Sequence, residues 1–331
     1  MNKKLTKILM SFIMLLSLLV IPTFASAAQE SGTLADLNVK FVPYELNESY
    51  IVGTKAPNVE IVYLNRKSNK QSSLKLSKMS KYTKVKDIKL VDQSIVFSTY
   101  ETAGISEQNY RIMKFDIAKG TLSELVFNKS QITLQGASST GLIYTVDNVI
   151  KGHELWYYDN KSKKKTKLEA SVGSAHISGD IITYTVPSTS LMELNEAVYY
   201  VSAKNLKNKI RLPFDGEFVK TNGKYIAYWY NNSNLSTDRS VYIYNIATKE
   251  TFDYSIVPEG DSVNQDIVFM GNIVIAWNTD NSHTKVKATQ IYDLKTNEVL
   301  ETDESLLPIA ASKTEILFYD PISKGYLIYK H

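Results

Sequence analysis

Few residues in this chain are of a type that could carry chemistry, and they are spread widely. The 331 residues include four histidines and no cysteine, which removes every thiolate metal site and cysteine nucleophile. His153, His176, His283 and His331 form no H-x-x-x-H or comparable cluster, so no metal and no other cofactor is expected. No G-x-S-x-G elbow occurs. Gly136-Ala137-Ser138-Ser139-Thr140-Gly141 is one residue too long for it and lacks the Lys-Ser/Thr of a phosphate loop. Ser72 and Lys75 have the spacing of a serine–lysine pair, but without companion motifs the match reads as chance.

Ligand binding has better candidates, a set of equivalent positions at which apolar runs end in a polar or acidic residue: Glu101, Asp147, Asn231, Asp280 and Asp320. Trp229 and Trp277, at the ends of two of these runs, either offer stacking surfaces for a sugar ring or a peptide aromatic, or fill the core. His283 follows Asp280 closely. Two carboxylates about 5 to 9 Å apart would make a glycosidase pair, which spacing in sequence leaves open.

A repeat positions these residues. One element reads as strand, Asx turn, strand, and it recurs at Asn65, Asp116, Asp159, Asn245 and Asp293, with a weaker copy at Ser202. The steps are 51, 43, 43, 43 and 48 residues. Asp or Asn suits the position because its short side chain accepts a backbone N–H two residues on and pins a tight hairpin. Upstream of each copy lies a run apolar on both faces, such as Ile95-Val96-Phe97, Ile181-Ile182-Thr183-Tyr184 or Ile273-Val274-Ile275-Ala276-Trp277, with a seventh at Ile316-Leu317-Phe318-Tyr319. Such strands belong between two sheets. A repeat of about 43 residues holding four short strands is the size of one propeller blade. The expected fold is therefore an all-β propeller of seven four-stranded blades, with six blades and an irregular cap as the alternative, and with His176 on a first strand lining the central channel.

The last blade, residues 307 to 331, is short of its outer strand. Gly32-Thr33-Leu34-Ala35-Asp36-Leu37 resembles the fourth-strand segment Gly120-Thr121-Leu122-Ser123-Glu124-Leu125, so residues 31–38 are expected to complete that blade and close the ring. Ahead of them, Lys3, Lys4 and Lys7, the apolar run Ile8 to Ile21 and Ala25-Ser26-Ala27 read as a secretory signal peptide over 1–27, leaving one propeller domain over 28–331. Removing those lysines leaves 35 cations against 34 anions. The expected product is exported, extracellular and monomeric, with no nucleic-acid partner and no membrane association once the leader is gone.

Asn222-Gly223-Lys224-Tyr225-Ile226-Ala227-Tyr228, followed by Ser240-Val241-Tyr242-Ile243-Tyr244-Asn245-Ile246-Ala247-Thr248-Lys249, resembles the TolB-type, WD40-like propeller repeats. Asn222 stands where those repeats carry an acid, and the usual Ser-Pro ahead of it is missing. The resemblance implies the propeller and no particular activity, because this fold hosts binding, hydrolysis and lyase chemistry alike. Two functions follow as expectations. One is a noncatalytic propeller that binds a protein or cell-envelope ligand, glycan included, on the face carrying the longer insertions 101–109, 187–196, 231–239 and 279–286. The other is a carbohydrate-active enzyme, glycoside hydrolase or polysaccharide lyase. The segment Lys161 to Lys167, with five lysines in seven residues, reads as a solvated hairpin turn.

Overall fold

The computed structural model describes residues 33–55, 60–74, 76, 83–103, 106–148, 152–188, 196–231, 239–256, 264–279, 286–296, 298–300 and 306–330. The leader, Lys75, Asp280, His283 and His331 lie outside the described residues. What is described is all β: seven four-stranded sheets and no helix. Blades 1 to 6 span 42–74, 83–128, 132–169, 175–211, 217–256 and 264–300, and blade 7 joins 307–330 to Thr33–Asp36. Within blades 1 to 6 the strands run antiparallel in sequence order from the inside out.

The doubly apolar runs are the second strands. Tyr50 to Thr54, Leu142 to Thr145 and Ile182 to Thr185 are buried without alternation, as a strand covered on both faces must be. The core is divided into seven apolar clusters, one at each junction between neighbouring blades. At the junction of blades 7 and 1, Ile51 and Val62 pack with Leu317 and Ile328.

The hairpins obey their Asx residues. Asp159 Oδ1 accepts from Lys161 N–H at 2.8 Å, Asn245 Oδ1 from Ala247 N–H at 3.0 Å and Asp293 Oδ1 from Lys295 N–H at 2.8 Å. In the weaker copy, Ser202 Oγ accepts from Lys204 N–H at 3.2 Å. Each longer turn closes on a left-handed residue four places after the cap: Asn69, Gly120, Lys163 and Lys249, with φ of 52°, 66°, 61° and 63°.

Ring closure follows the expected route. Thr33–Asp36 is the outer strand of blade 7, and Leu37 N–H donates to Tyr326 O at 2.8 Å. The end of the closing strand therefore meets the start of the third strand Gly325–Lys330, so the two run antiparallel. Strand alternation then sorts the connections. Turns joining first to second and third to fourth strands lie on one side, the turn face. Connections from second to third strand and from blade to blade lie on the other, the loop face. On the turn face, side chains clasp the next blade: Asn47 Nδ2 donates to Asp92 O at 2.8 Å, Thr140 Oγ1 to Gly179 O at 2.7 Å and Asn222 Nδ2 to Gly271 O at 2.7 Å. Gly271 has φ 58°, and a Cβ there would stand 2.7 Å from Lys313 O, so the clasp depends on glycine.

Candidate functional site

On the loop face the second strands of blades 2, 3, 5 and 7 carry Glu101, Asp147, Asn231 and Asp320 at or near their ends. Glu101 accepts from Asn109 Nδ2 at 2.9 Å and from Arg111 Nη1 at 2.8 Å; Arg111 Nε also reaches Glu124 at 3.2 Å. The Asn109 hydrogen bond, opposed by burial and reinforced by the Arg111 guanidinium, holds the Glu101 carboxyl below the usual carboxylate range. Asp147 sits opposite His153 in the ladder, with His153 Nδ1 2.7 Å from Asp147 Oδ1. No described hydrogen bond or ion pair joins these carboxylates to one another across blades.

The other expected residues fare differently. Asp320 Oδ1 accepts from Ile322 N–H at 2.8 Å and pins a turn that closes on left-handed Lys324, so this carboxylate is the cap of its own hairpin. Hydrogen bonds from Ser323 and from the backbone of Ile322 hold it below the usual range. Asn231 pairs in register with Arg239 at the strand end. Asp280 and His283 lie outside the described residues.

Trp229 and Trp277 offer no stacking surface. Trp229 is 1% exposed, between blades 5 and 6, and Trp277 is 7% exposed, between blades 6 and 7. Their strands are covered on both faces, so a ring at either position turns into a blade junction. An aromatic surface exists beside them instead. Phe214, in the connection from blade 4 to blade 5, is 43% exposed and stacks on Tyr242 with centroids 5.0 Å apart and planes 7° apart. Tyr230 meets the same Tyr242 edge-on at 5.1 Å.

Sequence reading placed His176 alone on the channel wall and passed over one half-buried acid. The first strands of blades 1, 2, 3, 5 and 7 each bulge against the third to sixth residues of the second strand. A bulge re-aims the side chains on either side of it. Around it, Lys89 Nζ meets Glu45 of blade 1 at 2.6 Å, Lys220 Nζ meets Asp266 of blade 6 at 3.1 Å and Lys86 Nζ reaches Thr133 Oγ1 of blade 3 at 3.3 Å. Asp87 Oδ2 accepts from Ser98 Oγ at 2.6 Å and from Leu134 N–H at 3.1 Å, joining blades 2 and 3. Tyr44, Glu45, Lys86, Asp87, Lys89 and Gln135 help to line a cavity of about 290 Å³. The charge of Glu45, opposed by burial, raises the ammonium pKa of Lys89.

His176 lies in the channel wall, as its strand position implies. Its Nδ1 accepts from Thr221 N–H at 3.2 Å, so the ring carries its proton on Nε2. Burial, with the charges of Lys220 and Lys89, drives its pKa well below the ordinary imidazole value. The passed-over acid is Glu196, which immediately precedes the third strand Ala197–Ser202 of blade 4 on the loop face and bridges to Gly216. Its carboxylate accepts from Thr185 Oγ1, which accepts in turn from Ser174 N–H at 2.9 Å. Burial, only partly offset by that hydrogen bond, raises its pKa. The available signal was polar residues recurring within first strands, at Glu45, Asp87, Lys89, His176, Lys220 and Asp266.

No protein-family model matches the sequence, and no curated protein matches it in sequence. Solved structures match in fold. The β-propeller domain of the Trilobed protease from Pyrococcus furiosus, described as having an open velcro topology, superposes with a TM-score of 0.61 at 14% identity, over 91% of this chain and 96% of that one. Oligogalacturonate lyase from Vibrio parahaemolyticus gives 0.59 at 11% identity, over 91% and 97%. TolB from Acinetobacter baumannii gives 0.48 at 14% identity over 83% of this chain, which spans 61% of the TolB chain. The first two likenesses establish the propeller and, at these identities, leave activity to the site.

Proposed function

We propose that this chain is an exported, noncatalytic propeller that binds a protein or cell-envelope ligand on its loop face. The supporting observation is how that face is built. Glu101 is already paired with Arg111 and Asn109, and its pKa is lowered, so at neutral pH it is a fixed charge and a poor proton donor. Paired polar groups on blades 2 and 3, with exposed Phe214 stacked on the buried Tyr242 of blade 5, give a surface of charge and aromatic contact. The leader over 1–27 supplies the route of export.

The test is capture from cell-envelope fractions, separated into protein and glycan, by wild type, Glu101→Ala/Phe214→Ala and the turn-face variant Lys119→Glu/Lys249→Glu. Loss confined to the loop-face pair supports the reading. Equal capture by all three overturns it. A second reading, a carbohydrate-active enzyme, draws on Glu196, whose raised pKa suits proton transfer. Under it, a polysaccharide panel shows turnover by wild type that Glu196→Gln abolishes; an inert panel removes this reading.

A further inference from the structure

Four of the first-strand bulges share one destination. In blade 1, Tyr44 is the extra residue between the pairs Pro43–Gly53 and Glu45–Val52. In blade 3, Gln135 falls between Leu134–Tyr144 and Gly136–Ile143, and in blade 7, Ile309 falls between Pro308–Phe318 and Ala310–Leu317. In blade 2, Lys86 and Asp87 lie between Val85–Thr99 and Ile88–Phe97, two residues against Ser98. All of these extra residues line the channel cavity of about 290 Å³. The fifth bulge, in blade 5, carries Phe218 and does not line it. Four adjacent blades thus use the same irregularity to turn a side chain toward one space.

Most charges of the cavity are committed to the fold. Lys89 is paired with Glu45 at 2.6 Å, and Asp87 accepts from Ser98 Oγ and Leu134 N–H. Lys86 differs. It is exposed, its Nζ reaches Thr133 Oγ1 at 3.3 Å, and it forms no ion pair among the described residues. Gln135 Nε2 donates one N–H to Thr145 Oγ1 at 3.3 Å and keeps its second. The apolar bulge residues sit on the other two blades, Ile309 on blade 7 and Tyr44, 40% exposed, on blade 1. From blade 7 round to blade 3, the bulges therefore present an aliphatic, an aromatic, a cationic and an amide side chain in turn.

We propose that this cavity is a binding site for a small carboxylic acid with an aromatic body. The carboxylate meets Lys86 and the Gln135 amide, because a charge-assisted N–H donor and a neutral one side by side suit its two oxygens. The ring lies against Tyr44 and Ile309, where a flat apolar face gains most from contact. A cavity of about 290 Å³ is at the small end of ligand pockets, which fits one ring with a short acid chain. The site is built from first strands alone and does not rest on the loop-face reading.

The test is calorimetric titration of the protein at neutral pH with phenylacetate, with its neutral amide phenylacetamide and with acetate. The expected result is binding of phenylacetate, with the amide and acetate each at least about tenfold weaker. Lys86→Gln should weaken phenylacetate by at least about tenfold, while Lys86→Arg, which keeps the charge, and Lys295→Gln, on an outer hairpin, should retain it. The Gln135 side-chain amide resonances should move during the same titration. If Lys86→Gln melts below wild type, Tyr44→Ala, which leaves the cation in place, replaces it and should weaken phenylacetate likewise. Equal affinity for acid and amide, wild-type affinity in a folded Lys86→Gln or Tyr44→Ala, resonance shifts confined to other sites, or no binding up to about 10 mM phenylacetate overturns the proposal.

Discussion

Arg66 and Glu315, 249 residues apart, hold each other across the junction of the first and seventh blades. Arg66 Nη2 donates to Glu315 Oε1 at 2.7 Å, Nη1 donates to Oε2, and Nη1 also reaches Asn47 O at 2.9 Å. Lys330 Nζ, from the facing strand, stands 3.3 Å from the same carboxylate. Glu315 is a buried carboxylate at the seam where the ring meets itself, fixed by a two-pronged guanidinium.

Removing one partner should cost far more than the pair's net worth, because the other charge stays behind with little water. Glu315→Ala and Arg66→Ala should each lower stability by about 3 kcal/mol. Replacing both with residues of similar size, Glu315→Leu/Arg66→Met, should recover much of the loss. Urea unfolding of the four proteins checks this; single variants as stable as wild type would show that the seam does not depend on the pair.

The same pair sets a response to acid. Burial pushes the Glu315 pKa up, but the Arg66 hydrogen bonds and charge, with Lys330, outweigh it and leave the pKa below its ordinary value of 4.5. A depressed folded pKa gives stability that is present above the unfolded pKa and lost as pH falls through the folded one. The melting temperature of wild type should therefore drop below about pH 4.5 more steeply than that of Glu315→Gln. Parallel curves would contradict it.

His176 gives an acid response of the same sign at higher pH. Its folded pKa is well below the ordinary imidazole value of 6.5, so the unfolded chain takes up a proton that the folded chain refuses. Stability is complete above about pH 6.5 and declines below it. His176→Gln, which keeps an acceptor for Thr221 N–H, should flatten that decline between pH 6.5 and 5. A His176 ring that titrates near 6.5 by NMR would show that its wall is not closed to charge.

Closure by the N-terminal strand has its own test. Deleting residues 28–38 strips the outer strand from blade 7 and the Leu37–Tyr326 hydrogen bond with it. The melting temperature should fall sharply; an unchanged melt would mean the ring is held by its core clusters alone.

Lys163 and Lys249 occupy left-handed turn positions that Gly120 fills in blade 2. A side chain there costs about 1 kcal/mol relative to glycine. Lys163→Gly and Lys249→Gly should each raise stability by up to that amount, seen as a shift of the urea midpoint at constant slope. No gain at either site would place the strain elsewhere.

Much of this molecule was legible because its signals are short-range. Asp159, Asn245 and Asp293 pin their hairpins through hydrogen bonds two residues long. The second strands, Ile95-Val96-Phe97 among them, announce burial on both faces by composition alone. Gly32 to Leu37 could be matched to Gly120 to Leu125 because both must satisfy the same outer-strand position.

What the chain could not disclose locally depends on facing and on ring closure. Trp229 and Asp147 both come near the ends of second strands, yet one turns into a blade junction and the other outward, a choice set by strand alternation and length. The bulges near Tyr44, Asp87 and Gln135 shift the facing of channel residues by one place, which no periodicity predicts. The partnership of Arg66 with Glu315 comes into being only when the last blade meets the first. Sequence alone determined the repeating four-stranded blades; the tertiary structure decided that they number seven and which side chains meet across them.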